Sequence, residues 1–548
     1  METEDTTVHV RHTISLLRPS TDSNHAVLLN GWKPLFFIVT IFCVFLMPAF
    51  IVAQTKPAEK ASVPSTAATI GQWASPVYFC PKEPCVVGGN AVVLHTGSVL
   101  FYYYPVLPGG LNSQALLLDP LTGVVTDVAL TIPRDIFCSG VTVLANGQVA
   151  VTGGVLTSGN HGDTYTTIFD PLTSAWSVGQ DMYYSRWYPS GVELSDGTVL
   201  EMSGVDSTGK YVQTVLESYN YTTGAWTVLP TSANLPSSVP YAYPRLSLLP
   251  GGSVFMSSPA PTTYLFNPVT NIWSPMGTVN YGFRFFAPHV LLPGLEKVMV
   301  AGGSPTYDDG GTTATNTAEI IDTSALTPVW TYTGAMTYPR YNENLVLLAD
   351  GTVLAVGGGG GGGQFTNPVY TAELYDPTTA QWSVMAAQAI QRTYHSTAVL
   401  LPDGRVVSSG SNNGAPTQIT YEIYSPPYLF KGDRPVIESA PTTLTYGATF
   451  TITAKQAGGI TRVALLRPGA TTHADDFDQR YVDLTFTVDK GIIQATAPAN
   501  GNVAPPGYYM LVIVSTNGVP SVMPFLQLSA STTSAEKQKG SVPAQAKK

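Results

Sequence analysis

Ala349-Asp-Gly-Thr-Val-Leu-Ala-Val-Gly-Gly358, followed by Tyr375-Asp-Pro-Thr-Thr-Ala-Gln-Trp382, decides the fold. Asp350-Gly351 supplies the positive-φ positions of a two-residue hairpin turn between two apolar runs. Asp376-Pro377 opens a second turn, and Trp382 begins the strand after it. One such stretch therefore encodes two hairpins, or four short strands. The same turn returns at His95-Thr-Gly-Ser-Val99, Ala145-Asn-Gly-Gln-Val149, Ser195-Asp-Gly-Thr-Val199, Pro250-Gly-Gly-Ser-Val254 and Pro402-Asp-Gly-Arg-Val406, with a weaker copy at Leu292-Pro-Gly-Leu-Glu-Lys-Val298. Gly153-Gly154 and Gly302-Gly303 match Gly357-Gly358, and Phe169–Trp176 and Phe266–Trp273 match Tyr375–Trp382.

Four strands repeated about every fifty residues are the signature of a Kelch-type β-propeller. Seven turn copies predict seven blades over 70–426. After Ser425-Pro-Pro-Tyr-Leu-Phe430 the pattern stops, and strand-like runs over 430–528 predict a small C-terminal β-sandwich of immunoglobulin-like kind. Composition agrees with an all-β chain: Gly (51), Pro (43), Tyr (29) and Phe (20) are plentiful, and charged residues make up only 11%. A net charge of −10 without a Lys/Arg cluster in the body argues against nucleic-acid binding.

Outside the repeats, Pro34–Ala53 is an uncharged apolar run of 20 residues. At ~1.5 Å per residue it is just long enough for a ~30 Å hydrocarbon core. It is read as a transmembrane signal anchor, or as a signal peptide cut near Ala53. The anchor leaves 1–33 as a cytoplasmic tail and gives a type II, extracytoplasmic protein; cleavage gives a secreted one. Residues 54–69 form a linker and 529–548 a disordered tail. Cys43 lies in the apolar run, and Cys80 and Cys85 are close enough to bridge. Cys138 is left over in an oxidising space, where a buried thiol packing as a small hydrophobe is its simplest reading.

The repeat register adds to that reading. Cys138 stands eight residues before Asn146, Tyr188 eight before Asp196 and His395 eight before Asp403. Equal register in equal blades means equal radius and height, so the three share a ring at the channel mouth. Tyr243 and Asn342 occupy the same register, so polar residues are common there. Tyr394 adjoins His395, and both can face one centre only where the strand begins. Imidazole and phenolate ligands in an open tetragonal set suit Cu(II). His473, in a loop of the C-terminal domain, is the candidate second imidazole; an exposed loop histidine is the alternative.

Ile136-Phe-Cys138-Ser-Gly140, Arg186-Trp-Tyr188-Pro-Ser190, Arg392-Thr-Tyr394-His395-Ser396 and Thr472-His473…Asp478-Gln-Arg480 occur in the order of one family. So do Pro505-Pro-Gly-Tyr-Tyr-Met-Leu511 and Gly518-Val-Pro-Ser521. The chain resembles the copper radical oxidases, the glyoxal oxidase and galactose oxidase group, over residues 70–528. The resemblance implies one copper per chain and a thioether between Cys138 and Tyr188 that carries a stable radical. It implies Tyr188, Tyr394, His395 and His473 as metal ligands, with Tyr394 as base. The implied reaction is oxidation of small aldehydes such as glyoxal or methylglyoxal, with O2 reduced to H2O2.

Galactose oxidase resembles the chain less, because it carries a sugar-binding domain before the propeller; Arg186-Trp-Tyr188-Pro189 also looks like the glyoxal oxidase version. A galactose-type alcohol oxidase and a non-catalytic Kelch binding module at the cell surface remain as alternatives. A monomer is expected, with peroxidases as consumers of the peroxide.

Overall fold

A computed structural model describes residues 66–79, 86–103, 113–156, 161–240, 243–257, 259–307, 313–363, 366–412 and 417–529. Among them the chain is all-β. Strands Gly140–Val143, Val149–Thr152, Thr166–Asp170 and Ala175–Val178 form an antiparallel meander in chain order. Its first two strands are wholly buried, and its last is the exposed edge. Four-stranded meanders of the same kind begin at Ser190–Glu193, Arg245–Leu248, His289–Leu291 and Tyr341–Leu347. The recurrent Asn-Gly and Asp-Gly turns join the first two strands of each unit, as their left-handed glycines (Gly147 φ 86°, Gly351 φ 89°) require.

Successive first strands pack side by side. Gly140–Val143 and Arg245–Leu248 both touch Ser190–Glu193, and Ser396–Leu400 touches Asn90–Val93. The sheet of Ser396–Leu400, Val406–Gly410 and Thr420–Ser425 is completed by Gln72–Trp73, with Gln72 opposite Ser425. The ends of this ring are thereby joined, as in a β-propeller. A β-sandwich follows. One sheet contains Thr449–Ala454 and Ile492–Thr496, the other Ile460–Arg467 and Gly507–Ser515. Phe450, Ile452, Val463, Leu465, Ile493 and Leu511 fill the core between them.

Two features position the functional residues. First, the sheet of Asn90–Val93 and Val99–Tyr102 is extended on its inner side by a hairpin from the C-terminal region, Ala470–Thr472 with Asp475–Asp476. Asn90 pairs with Thr472, which delivers the hairpin tip at His473 to the centre of the ring. Second, four meanders hold a buried Arg–Glu pair: Arg186–Glu217 (2.9 Å), Arg284–Glu319 (2.7 Å), Arg340–Glu373 (2.5 Å) and Arg392–Glu422 (3.4 Å). Each arginine also donates to the end of its second strand, at Ser203 O, Gly302 O, Gly357 O and Gly410 O. Each glutamate accepts a backbone N–H from the incoming loop, at Tyr183, Asn280, Thr337 and Ala389. Arg186 and Arg392 lie two and three residues before Tyr188 and His395.

The span expected at 34–53 lies outside the described residues, as do Cys43, Cys80, Cys85, the 1–33 tail and 530–548. Among the described residues no helix is long and apolar enough to cross a membrane. The α-helix Ala67–Ile70 has four residues, against the ~20 a crossing requires. Apolar runs are spent instead on short buried strands; Gly507–Ser515 has nine residues. This corrects the expectation of a membrane anchor and of the type II placement built on it.

Candidate metal centre

The ring of equal register is a ring of equal backbone conformation. Cys138 (φ 55°), Tyr188 (64°), Tyr243 (42°), Phe286 (55°), Asn342 (62°) and His395 (61°) are all left-handed. Each lies eight residues before its turn anchor. A left-handed residue costs a non-glycine roughly 1–2 kcal/mol, and its recurrence marks a built-in feature. It also breaks the alternation of a strand, so consecutive side chains meet. The rings of Tyr394 and His395 stack at 3.8 Å and 28°, just ahead of Ser396–Leu400. Trp187 lies 3.8 Å from the ring of Tyr188. Backbone hydrogen bonds pass from one ring residue to the next: Tyr188 N–H to Cys138 O (3.0 Å), Tyr243 N–H to Tyr188 O (3.3 Å) and Asn342 N–H to Phe286 O (3.0 Å).

Cys138, Tyr188, Tyr394, His395 and His473 converge, each at most 4% exposed. The hydroxyls of Tyr188 and Tyr394 share a hydrogen bond. Cys138 Sγ lies 3.5 Å from His473 Nε2, and the imidazoles stand edge to face at 4.4 Å. One ligand atom each from Cys138, His395 and His473 fall within 4.8 Å of one another. His473 therefore points into the ring and is not an exposed loop residue.

Hydrogen bonds fix both imidazole tautomers. His395 Nδ1 lies 2.9 Å from the carbonyl of Asn412, which can only accept, so Nδ1 carries the proton. Tyr103 Oη sits 2.8 Å from the same nitrogen. Nε2 of His395 is then a lone pair, buried and without a protein partner. Thr472 Oγ1 donates to Gly89 O and so accepts from His473 Nδ1–H at 2.7 Å, which leaves Nε2 unprotonated, facing the Cys138 thiol. Orienting a ligand histidine through its other nitrogen is how metal sites are prepared. Burial lowers His395 to about 3, the Asn412 carbonyl opposing. Burial, then the neighbouring His395 and Arg245, push His473 well down. Burial also raises Tyr188 and Cys138 well above their usual range. Without a cation the pocket is thus neutral; a divalent cation would reverse that balance and favour phenolate. Two unprotonated imidazole nitrogens and two phenols fit copper.

Register found Cys138, Tyr188 and His395, but not the side chains that support them. Tyr243 stood in the ring and was grouped with ordinary polar residues; its ring meets Tyr188 at 4.7 Å and His473 at 4.9 Å. Tyr103 lies in a run of tyrosines that carries no register signal. Phe137, 5.2 Å from His395, became visible only once the left-handed Cys138 turned it toward the site.

Known proteins agree with this geometry. The glyoxal oxidase N-terminus family matches residues 113–428, more than half of the chain, and the galactose oxidase-like early set domain matches 434–528. Galactose oxidase of Gibberella zeae is 28% identical over 508 residues, covering 86% of this chain and 72% of that protein. Aldehyde oxidase GLOX of Vitis pseudoreticulata is 28% identical over 441 residues, covering 73% and 83%. A solved structure titled a novel fungal alcohol oxidase with catalytic diversity among the AA5 family, in complex with copper, superposes with a TM-score of 0.74 at 27% identity, covering 84% of this chain and all of that one. The ring, the inserted histidine and these matches together establish that the chain belongs to the copper radical oxidases, the glyoxal oxidase and galactose oxidase group.

Proposed function

We propose that this oxidoreductase converts small aldehydes, reacting as their hydrates, to carboxylic acids and reduces O2 to H2O2. Residues 70–426 would form seven Kelch-type blades and 430–528 an immunoglobulin-like sandwich. The observation that carries the reading is the meeting of one thiol, two phenols and two imidazoles, each imidazole with its proton held on Nδ1 and its Nε2 unprotonated. Tyr188, Tyr394, His395 and His473 would hold one copper. Bound copper supplies a one-electron acceptor and a Lewis acid.

The second electron acceptor is Tyr188, joined to Cys138 by a thioether. Forming that bond breaks the S–H of Cys138 and a ring C–H of Tyr188, and O2 removes the two hydrogens as H2O2. Sulfur donates density to the ring and makes it easier to oxidise. Tyr394 receives the hydroxyl proton of the substrate hydrate as a positioned general base. Its hydrogen bond to Tyr188 holds the two phenols in register. Trp187 meets the Tyr188 ring at 60° and limits its contact with water. Per turnover one hydrate and one O2 yield one acid and one H2O2.

The aldehyde reading is supported by the glyoxal oxidase match over 113–428 and by the plant aldehyde oxidases. An alcohol oxidase is the second reading, favoured by the galactose oxidase relative and the alcohol oxidase structure. Peroxide release from copper-loaded protein decides between them. The first reading expects turnover of methylglyoxal and none of galactose or simple primary alcohols; the reverse order of rates establishes the second.

A further inference from the structure

We propose that Tyr243 is a positioning residue for the Cys138–Tyr188 pair, fixing the approach of sulfur to the phenol ring. The proposal rests on the reading of that pair as a crosslinked cofactor. Tyr243 comes from a third meander, just before Arg245–Leu248, yet it touches Tyr188, His473 and the turn that carries Cys138. Its hydroxyl donates to Ser139 O at 3.0 Å. Ser139 follows Cys138 directly, and its own hydroxyl is tied back to Ile136 O at 2.7 Å. The left-handed turn that presents the Cys138 thiol is therefore clamped on both sides.

The main-chain N–H of Tyr243 donates to Tyr188 O, and its ring meets the Tyr188 ring edge to face at 84°. The other side of the same ring tilts against His473 at 4.9 Å, with Phe477 behind at 5.8 Å. One buried side chain thus spaces the thiol, the phenol and an imidazole that reach the centre from separate parts of the chain. With its hydroxyl committed to a carbonyl, Tyr243 is not a ligand. A carbonyl is also too weak a base to take its proton, so Tyr243 does not compete with Tyr188 for oxidation.

Bond formation between sulfur and a ring carbon depends steeply on approach geometry, because misplacement of a reacting pair is costly even at fixed distance. Tyr243→Phe keeps the ring and removes only the clamp on Ser139. Copper-free protein is mixed with Cu(II) in air, and intact mass is followed with time. Wild type is expected to lose two hydrogens. Tyr243→Phe is expected to do so roughly fivefold more slowly, the factor that one lost hydrogen bond supplies. Tyr243→Leu, which also removes both ring contacts, is expected to be slower still.

Thermal unfolding of the copper-free variants runs in parallel, and the phenolate-to-copper absorption band is recorded after loading. An unchanged band and wild-type crosslinking rate in Tyr243→Phe overturn the proposal while leaving the crosslinked cofactor intact. A wild type that binds copper without losing two hydrogens overturns both. A slowed rate in Tyr243→Phe with an unchanged unfolding midpoint supports a positioning role over a merely structural one.

Discussion

Single residues do most of their work here through the nitrogen or oxygen that faces away from the metal. Asn412 O and Thr472 Oγ1 each hold the Nδ1–H of one histidine, so His395 and His473 present lone pairs inward without a search over tautomers. Removing His473 deletes one prepared ligand while leaving the hairpin strands paired. His473→Ala is expected to abolish peroxide production with little change in the unfolding midpoint of the copper-free protein. Wild-type turnover in the purified variant would remove His473 from the centre. Tyr394→Phe keeps the stacked ring over His395 but has no group to receive a proton. Its kcat/KM is expected to fall about 10²–10⁴-fold, the usual worth of a general base. How much of this was legible follows the register. Cys138, Tyr188 and His395 repeat one position, and a repeat can be counted. His473 was found as a lone histidine in a plausible loop, and the pairing of Thr472 with Asn90 that delivers it has no sequence signature. Tyr103 acts across the sheets, where neither spacing nor alternation carries information, and the register that places Tyr243 does not say which neighbours its ring meets.

Among the elements, the meander is the unit that repeats, and its buried Arg–Glu pair ties three of its segments together. The signal was present in the chain as Glu217, Glu319, Glu373 and Glu422, each on a third strand and ahead of a turn, but it reads as an ordinary strand charge until the partner arginine is located. Glu373→Ala leaves the Arg340 guanidinium buried with one charge partner gone. A loss of about 3–5 kcal/mol in unfolding free energy is expected, read from denaturant melts with unchanged m. A loss below ~1 kcal/mol would show that Gly357 O and Thr371 O satisfy Arg340 by themselves. Glu343, on Tyr341–Leu347, behaves differently. Burial lifts its carboxyl to about 8, with Arg340, Arg284 and Arg245 opposing. Between about 4.5 and 8 the folded protein therefore keeps a proton that the unfolded chain has released. Stability contributed by that proton falls as pH rises across this window. Glu343→Gln, neutral at every pH, is expected to flatten this part of the stability–pH curve. A mutant slope equal to wild type would assign the pH dependence to other groups.

At the scale of the whole molecule, the metal centre is also a join. Tyr188, Tyr394 and His395 belong to the ring of meanders, whereas His473 arrives on a hairpin that continues from Ile460–Arg467 of the sandwich. The hairpin is anchored on both sides. Arg467 Nη2 reaches Glu193 at 2.5 Å and Val143 O at 2.7 Å, and Asp478 Oδ2 accepts from Val143 N–H at 2.7 Å. A ligand held by both parts stabilises both, because neither can open without releasing it. At free copper near 100 Kd the gain is about 2.7 kcal/mol. The two parts can be watched separately: every tryptophan lies before residue 430, so indole fluorescence does not report on the sandwich. Copper is expected to raise the fluorescence midpoint and also to slow amide exchange in Ile460–Arg467 and Gly507–Ser515. In His473→Ala, any copper still held by the ring should protect only the ring. Exchange in those two strands that copper leaves unchanged in wild type would mean that His473 is no ligand, and that the sandwich touches the centre without sharing it.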